Sequence, residues 1–275
     1  MIKPSVVGNI SMALYFPVFF VLLKVRSFKL SKTWFMPLFI LYFGLLFATL
    51  FALFLNGDDS TYSSRDTVLT IVLELLNPKN RRGKVFYGAY FGGIVGVAVA
   101  NFVSRQKSLP AFLDIAAIAN SFFFSIWRIG CFAGGCCYGK PSDFFGISFP
   151  RRTTAFRHLK HTALVVNDAT VPLIPTQLIS SAGDMLIFLF LLVLFCRNKT
   201  RYPYFYFFAH AFLYGIGRFI VEFFRMDPRE FWGPLSMSQW ISLVLVAASL
   251  VFFIKNRKGI ADSFRNRSCN CRDVA

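Results

Sequence analysis

The stretch LPAFLDIAAIANSFFFSIWRIGCFAG, from Leu109 to Gly134, contains the charged residues Asp114 and Arg128 in an otherwise apolar run. An α-helix needs about 20 apolar residues to cross the hydrocarbon core of a bilayer, and this run is long enough. A charged side chain inside such a helix costs roughly 2.5–3.5 kcal/mol on insertion scales, so it usually faces a partner or a wet cavity. We therefore interpret this stretch as a membrane span with a functional polar face.

The composition of the chain also indicates a membrane protein. Of the 275 residues, 56% are hydrophobic and 16% are charged, whereas a soluble domain carries about 25% charge. The apolar runs predict an all-α polytopic integral membrane protein with about seven transmembrane helices, folded as a single membrane domain over residues 1–275. The predicted spans are 6–23, 34–55, 85–103, 109–134, 178–196, 202–224 and 237–254.

The segments between the predicted spans include a short helix and an extramembrane arm. Apolar residues recur at helical spacing over 65–77, which predicts a short interfacial helix that ends before Pro78. Residues 139–176 are polar, basic and rich in turn-forming residues, which indicates an extramembrane arm between spans four and five. No small-x-small cleavage site precedes Lys24, so we interpret the first run as a retained span and not as a removed signal.

The net charge of +17 would suggest nucleic-acid binding in a soluble protein. Here the basic residues cluster between apolar runs, so membrane topology and anionic lipid headgroups explain the charge and no nucleic-acid partner is expected. Short basic loops mark the cytoplasmic side, which predicts an N-terminus outside and a cytoplasmic tail at 255–275. The basic loop residues are Lys24, Arg26, Lys29, Lys32, Arg105, Lys107, Arg197, Lys199 and Arg201.

The sixth predicted span carries a regular series of polar side chains. Tyr214, Arg218 and Glu222 are four residues apart, which places a phenol, a guanidinium and a carboxylate on one helical face. Arg218 and Arg128 are both expected towards the outer ends of their helices, where two guanidinium groups would suit a phosphodiester. In the alternative interpretation, Arg218 and Glu222 only neutralise each other and Arg128 extends to the interface.

The loop after Arg128 contains three cysteines among several glycines. The Cys-x4-Cys-Cys spacing of Cys131, Cys136 and Cys137 is not a recognised zinc pattern, so we expect no metal. A disulfide from Cys131 to one of the other two and a set of buried free thiols both remain open.

The third predicted span contains Gly88, Gly92, Gly93 and Gly96. Three of these glycines are spaced at four-residue steps, the small-xxx-small pattern of closely packed membrane helices. Close approach of a lipid to the glycines is the functional alternative.

Several ordered phrases of the sequence match a known pattern. They are Gly92-Gly93-Ile94-Val95-Gly96-Val97, Asp114 fourteen residues before Arg128, Arg128-Ile-Gly with Phe132, Gly135, Tyr138-Gly139 and Pro141, Phe145-Gly-Ile-Ser-Phe-Pro150, Pro175-Thr-Gln177-Leu, Tyr214-Gly-x-x-Arg218-x-x-Val-Glu222-Phe-Phe-Arg225, and Ser236-Met-Ser-Gln239. Together they cover approximately residues 85–255. In this combination the chain resembles the prolipoprotein diacylglyceryl transferases.

The resemblance implies a bacterial plasma (inner) membrane enzyme without a cofactor. Such an enzyme transfers the diacylglyceryl group of phosphatidylglycerol to the lipobox cysteine thiol of a prolipoprotein, forming a thioether and releasing glycerol phosphate. The implied partners are phosphatidylglycerol, prolipoprotein signal peptides with a lipobox cysteine, and membrane lipid. By position, the resemblance implies substrate-binding roles for Arg128, Gly92, Gly93, Gly139 and Gln177, and catalytic roles for Arg218, Glu222 and Tyr214.

Three positions depart from the family pattern. Phe91 stands where the family has a histidine, Cys131 replaces an asparagine, and Cys136 replaces an acidic residue. The candidate bases for the acceptor thiol are then Glu222 or Tyr214, or the thiol ionises unaided near the arginines. Two other functions are considered: a catalytically impaired lipid-binding paralogue that holds anionic phospholipid, and a small transporter or channel along the charged faces of spans four and six.

Overall fold

The computed structural model describes residues 3–26, 28, 33–55, 86–105, 108–197, 202–228 and 231–270. The interfacial helix predicted over 65–77 lies outside these residues. The chain divides into two compact units, one formed by Met1–Leu22 with Asp114–Ala275 and the other by Leu23–Leu113.

The described residues form eight helices and two short antiparallel hairpins. Each of the seven predicted apolar runs overlaps one of the long helices. The helices are α1 (Pro4–Val25), α2 (Met36–Leu55), α3 (Phe86–Val103), α4 (Leu109–Gly134), α5 (Thr154–Leu159), α6 (Thr176–Cys196), α7 (Phe205–Glu222) and α8 (Met237–Asn270), and the strands are β1 (Val165–Val166), β2 (Ala169–Thr170), β3 (Phe231–Trp232) and β4 (Leu235–Ser236).

The long helices confirm an all-α polytopic membrane protein. Among the described residues, α1, α4, α6 and the part of α8 up to Arg265 are long and apolar enough to cross a membrane. Two shorter apolar helical segments lie at Met36–Ala48 in α2 and Gly88–Val103 in α3. Helix α7 has 18 residues and includes the charged residues Arg218 and Glu222, so it is a more polar candidate span than the other four. The number of seven spans stays a prediction.

Helix α4 is the best buried of these four candidate spans, which makes it central to the larger unit. The ring of Tyr15 in α1 packs edge-on against Phe123 at a centroid distance of 5.9 Å. Helices α7 and α8 pack through the stacked rings of Phe208 and Phe252 at 4.1 Å. Asp114 accepts a hydrogen bond of 2.9 Å from the backbone amide of Phe207, so this buried carboxylate satisfies an otherwise open donor in the first turn of α7.

The arm between α4 and α6 is a small folded segment. It contains α5 and the β1–β2 hairpin, in which Val165 pairs with Thr170 and Val166 with Ala169. An apolar cluster forms its core, consisting of Tyr138, Phe149, Ala155, Leu159 and Leu173. An isolated bridge joins Gly139 to Arg225, so the start of the arm is hydrogen-bonded to the segment that follows α7.

In the smaller unit, the glycine row of α3 packs against α2. A Cβ atom at Gly88, Gly92 or Gly96 would overlap the carbonyl oxygen of a residue in α2. For Gly92 that oxygen belongs to Phe43. The small-xxx-small pattern therefore brings the two backbones together, as the packing interpretation predicted.

Candidate functional site

The polar face of α7 is buried inside the larger unit. Arg218 Nη2 lies 2.8 Å from Glu222 Oε2, and both side chains are more than nine-tenths buried. The same Arg218 nitrogen donates to Ser238 Oγ at 3.3 Å. Arg218 Nε and Nη1 are also buried, and neither has a hydrogen-bond partner among the described residues. The ion pair therefore uses one side of the guanidinium and leaves two donor nitrogens for another group.

Glu222 is the centre of the charged network. Its Oε2 atom pairs with Arg218 and also lies 3.4 Å from Arg225 Nη1. Its Oε1 atom accepts a hydrogen bond of 2.9 Å from Ser236 Oγ, and Gln239 Oε1 in turn accepts from the Ser236 amide at 2.9 Å. Both carboxylate oxygens are thus engaged, so the geometry assigns Glu222 to holding two guanidinium groups in place.

Arg225 continues the network beyond the end of α7. Its Nε and Nη2 atoms donate to the two carboxylate oxygens of Asp227 at 2.9 and 2.7 Å, a bidentate arrangement. Burial lowers the pKa of Arg225, but nearby Cys137, Asp227 and Glu222 outweigh this and raise it above its usual value. Arg225 is therefore a fixed positive charge.

A cavity of about 50 Å³ brings Arg128 and Arg218 together. It lies between α4, α6 and α7, and Asp184 and Tyr214 also line it. A space of this size holds a few water molecules, so it suits a small anionic group. Gly183 and Gly217 line the same cavity, and a Cβ atom at either position would meet nothing within 4 Å.

Two ionisable residues near this cavity were missed by the sequence interpretation. Asp184 is buried in α6 and lines the cavity with both arginines. His210 is buried one turn before Tyr214 in α7, and the two rings stack at a centroid distance of 5.8 Å. Both lie inside predicted spans, so the rule that singled out Arg128 and Arg218 would have found them.

The cysteine loop lies next to Arg128 and Arg225. Cys131, Cys136 and Cys137 are free thiols in the structure. The Cys136 sulfur donates to the Cys131 carbonyl oxygen at 3.6 Å. Among the described residues, no group of three or more histidine, cysteine, aspartate or glutamate side chains is arranged to hold a metal ion.

Gln177 and Gly139 hold this loop in place. Gln177 is fully buried at the start of α6, and its Nε2 atom donates to the Cys136 carbonyl at 2.6 Å. Gln177 Oε1 has no hydrogen-bond partner within the described part of the chain. The Gly139 amide donates to the Ile174 carbonyl at 2.9 Å, and a Cβ atom at Gly139 would lie 2.7 Å from that carbonyl oxygen.

The other residues implied by the resemblance belong to the smaller unit. Gly92 is buried against α2, and Gly93 is buried beside it. Phe91, at the position of the family histidine, is 38% exposed, and its ring meets that of Tyr90 edge-on at 6.1 Å. In this unit the glycines therefore have a packing role that is visible in the structure.

Comparison with known proteins agrees with the resemblance seen in the sequence motifs. The sequence profile of the family described as prolipoprotein diacylglyceryl transferase matches residues 10–255, so the similarity extends towards the N-terminus beyond the motifs found from residue 85. A phosphatidylglycerol–prolipoprotein diacylglyceryl transferase 2 of Clostridium perfringens is 38% identical over 180 residues, which is 64% of each chain. A phosphatidylglycerol–prolipoprotein diacylglyceryl transferase of Clostridium tetani is 34% identical over 172 residues, covering 62% of this chain and 63% of the relative.

The aligned part spans somewhat less than two thirds of the length of each of these two relatives. A phosphatidylglycerol–prolipoprotein diacylglyceryl transferase of Geobacter sulfurreducens is 30% identical over 179 residues, again 62% of each chain. The family profile, in contrast, covers most of the sequence. The buried arginine face and this match lead to one conclusion: the chain belongs to the prolipoprotein diacylglyceryl transferase family.

Proposed function

We propose that the protein transfers the diacylglyceryl group of phosphatidylglycerol to the lipobox cysteine thiol of prolipoproteins. The single observation that carries this proposal is the cavity lined by Arg128 and Arg218. Arg218 also has two buried nitrogens without a hydrogen-bond partner among the described residues. Buried cationic donors of this kind favour an anionic ligand, and the family relationship makes the phosphodiester of an anionic lipid the best candidate.

The proposed reaction is a displacement at carbon. The acceptor thiolate attacks the carbon of the diacylglyceryl group that carries the phosphate ester, a C–S bond forms, and the C–O bond between that carbon and the phosphate breaks. The electron pair of that bond remains on the phosphate oxygen, so glycerol phosphate leaves with an added negative charge. Arg218 stabilises this charge, and Arg128 binds the phosphate of the headgroup.

Tyr214 and Glu222 assist Arg218 in this proposal. Tyr214 lines the cavity beside Arg128 and shapes the side of the pocket next to the guanidinium groups. Glu222 fixes Arg218 and Arg225 through its ion pairs. Gln177 and Gly139 fix the cysteine loop against α6, and this gives them an indirect part in substrate binding. Gly92 packs α3 against α2, and Gly92 and Gly93 are assigned to substrate binding by their match to the glycine phrase of the family.

The long apolar helices and the family support a location in the inner membrane of a bacterium. The distribution of basic loops supports an N-terminus outside and a cytoplasmic C-terminus. This orientation gives the arm access to the outer surface, where the acceptor would be a prolipoprotein signal peptide with its lipobox cysteine.

A second function is favoured by one observation, the apolar Phe91 in place of a histidine. A paralogue that binds anionic phospholipid without transfer would keep the arginine cavity and lose the thiol-activating group. It would retain phosphatidylglycerol but produce no glycerol phosphate.

The test uses the full chain in nanodiscs that contain phosphatidylglycerol, with a lipobox peptide as acceptor. The protein is expected to release glycerol phosphate, and Arg128→Ala is expected to reduce the rate by about 10²-fold or more, as for loss of a charge-stabilising donor. Arg257→Ala removes an exposed arginine of α8 and serves as the matched control. Equal rates for Arg128→Ala and Arg257→Ala would contradict the proposed role of the cavity.

A further inference from the structure

Asp184 is a buried carboxylate in the arginine cavity that has no partner of its own. Its side chain is 6% exposed, and it lines the cavity together with Arg128 and Arg218. Within the described part of the chain, it takes part in no hydrogen bond and no ion pair. A buried carboxylate is costly unless its oxygens accept hydrogen bonds, so this one points to a ligand that supplies donors.

Balancing the charge of the arginines does not account for Asp184. Arg218 already pairs with Glu222 at 2.8 Å, and the same nitrogen of Arg218 donates to Ser238. Glu222 also lies 3.4 Å from a nitrogen of Arg225. The carboxylate that neutralises guanidinium groups here is therefore Glu222, which is bound to them directly. Asp184 faces the same cavity without such a bond.

The walls of the cavity differ in what they offer to a ligand. Arg128 on α4 and Arg218 on α7 present N–H donors. Helix α6 contributes Ser180 and Asp184, one helical turn apart. The Ser180 hydroxyl already donates to the Thr176 carbonyl at 2.8 Å, so its oxygen remains as an acceptor. An ionised aspartate can only accept. We call the side formed by Ser180 and Asp184 the acceptor wall.

A phosphodiester alone does not satisfy the acceptor wall. Its oxygens accept from Arg128 and Arg218, but it has no donor for Asp184, and the two negative charges repel each other. A phosphodiester with hydroxyl groups close to the phosphate does satisfy both sides of the cavity. The headgroup of phosphatidylglycerol is of this kind, because its glycerol carries two free hydroxyls. Two O–H donors match the two oxygens of one carboxylate, and hydrogen bonds to an ionised acceptor are strong.

Space for headgroup carbons lies beside these charged side chains. Gly183 directly precedes Asp184 on α6, and Gly217 directly precedes Arg218 on α7. Both glycines line the cavity, and a Cβ atom at either position would meet nothing within 4 Å. The glycines therefore leave open space next to the carboxylate and the guanidinium, into which the carbons of a glycerol can extend.

We propose that Asp184 determines the specificity for the lipid headgroup. Its carboxylate accepts hydrogen bonds from the glycerol hydroxyls of phosphatidylglycerol, while Arg128 and Arg218 bind the phosphate. The role assigned to Asp184 rests on the proposed function and adds to it the part of the lipid that is selected. Asp184 also disfavours anionic lipids without headgroup hydroxyls, because its repulsion of their phosphate is then not offset.

Two lipids that differ only in their hydroxyls test this role. Phosphatidylglycerol and phosphatidylpropanol share the phosphodiester and a three-carbon headgroup, but the propyl group has no donor. The apparent Kd of each is measured for the full chain in phosphatidylcholine nanodiscs, by displacement of a fluorescent phosphatidylglycerol analogue and without an acceptor peptide. The Kd for phosphatidylpropanol divided by that for phosphatidylglycerol reports hydroxyl recognition. A change in the cavity that affects both lipids equally cancels in this Kd ratio.

We expect a Kd ratio of about 20 or more in the wild type, the usual strength of hydrogen bonds to a charged acceptor. The amide oxygen of Asp184→Asn retains only a neutral hydrogen bond, so the ratio is expected to fall to about five or less. Asp184→Ala removes every acceptor atom of the side chain and is expected to bring the ratio close to one. Both variants lose the repulsion, which favours binding of both lipids and of phosphatidylpropanol more. Asp262→Asn changes an exposed acid of α8 and is expected to keep the wild-type ratio.

The outcomes separate the role of Asp184 from the proposed transfer function. A wild-type Kd ratio close to one overturns the role of Asp184 and requires no variant to fold. A ratio in Asp184→Ala equal to that of the wild type also overturns it, because another group then recognises the hydroxyls. Release of glycerol phosphate in the presence of a lipobox peptide is measured in parallel. The expected ratios without release contradict the transfer function alone, whereas release with a ratio close to one contradicts the role of Asp184 alone.

Discussion

Arg218 and Glu222 form a buried ion pair of 2.8 Å, one helical turn apart on α7. The pair leaves Nε and Nη1 of Arg218 buried without a partner among the described residues, and the Arg218 side chain lines the same cavity as Arg128. The ion pair therefore uses only part of a guanidinium group that lies beside this cavity.

Arg218→Lys tests whether the shape of the guanidinium matters in addition to its charge. Lysine keeps the positive charge but cannot offer two parallel donors to a phosphate. We expect turnover to fall at least tenfold with a smaller loss of phosphatidylglycerol retention, because the charge remains. The readout is the rate of glycerol phosphate release together with the amount of copurified lipid. A rate within twofold of the wild type would show that the charge alone is sufficient.

Glu222→Gln tests the network through stability. The substitution leaves Arg218 and Arg225 as buried charges without their shared carboxylate, and breaking a buried pair typically costs about 3–5 kcal/mol. The free energy of unfolding, measured by denaturant titration in detergent, is expected to fall accordingly. The exposed ion pair of Arg151 with Asp168 supplies the control. Asp168→Asn is expected to change stability by no more than about 1 kcal/mol, and equal effects of the two variants would contradict the network.

Asp184→Asn tests the electrostatics of the cavity. The Asp184 carboxylate lines the same space as Arg128 and Arg218, so its negative charge opposes binding of a second anion there. We expect the neutral amide to increase phosphatidylglycerol affinity several-fold, measured by lipid titration against a fluorescent analogue. Asp262→Asn changes an exposed acid of α8 and is the matched control. Weaker binding in Asp184→Asn would mean that the carboxylate helps to hold the lipid.

Gly92→Ala tests the packing of α3 against α2. The added methyl group would overlap the Phe43 carbonyl oxygen, so the helices must separate and stability must fall. We expect a loss of about 1–3 kcal/mol, the range for overpacking, measured by thermal or denaturant unfolding. Gly183→Ala adds the same methyl group where nothing lies within 4 Å, and it is expected to leave stability unchanged or slightly raised. The reverse order would contradict the packing role.

Hydropathy predicted the long helices well, because a span needs a continuous apolar run that is visible in the sequence. Spacing along one helix also placed Tyr214, Arg218 and Glu222 on a common buried face, since these contacts are local. Partners on other elements could not be predicted this way. The hydrogen bond from Ser236 to Glu222 depends on how β4 lies against α7, whereas Arg128 and Arg218 were expected at a similar depth of their helices and line one cavity.

In the cysteine loop, too, local features could be predicted from the sequence and contacts with other elements could not. Its glycines and cysteines predicted a tight turn, but the left-handed conformation of Cys137 and its fixation by Thr176 and Gln177 come from the start of α6, about forty residues later in the chain. Asp184 lies in a predicted span, where the rule on charged residues would have found it, but none of the phrases matched to the family contains it. Burial next to two arginines is visible only in the folded chain.

The central claim is that the arginine cavity serves transfer and not lipid retention alone. The most direct measurement is the mass of a lipobox peptide after incubation with the full chain in phosphatidylglycerol nanodiscs, beside the same peptide with serine in place of the lipobox cysteine. We predict that only the cysteine peptide gains a diacylglyceryl group, in step with release of glycerol phosphate. Retained phosphatidylglycerol with an unmodified cysteine peptide would contradict it and would favour the lipid-binding function.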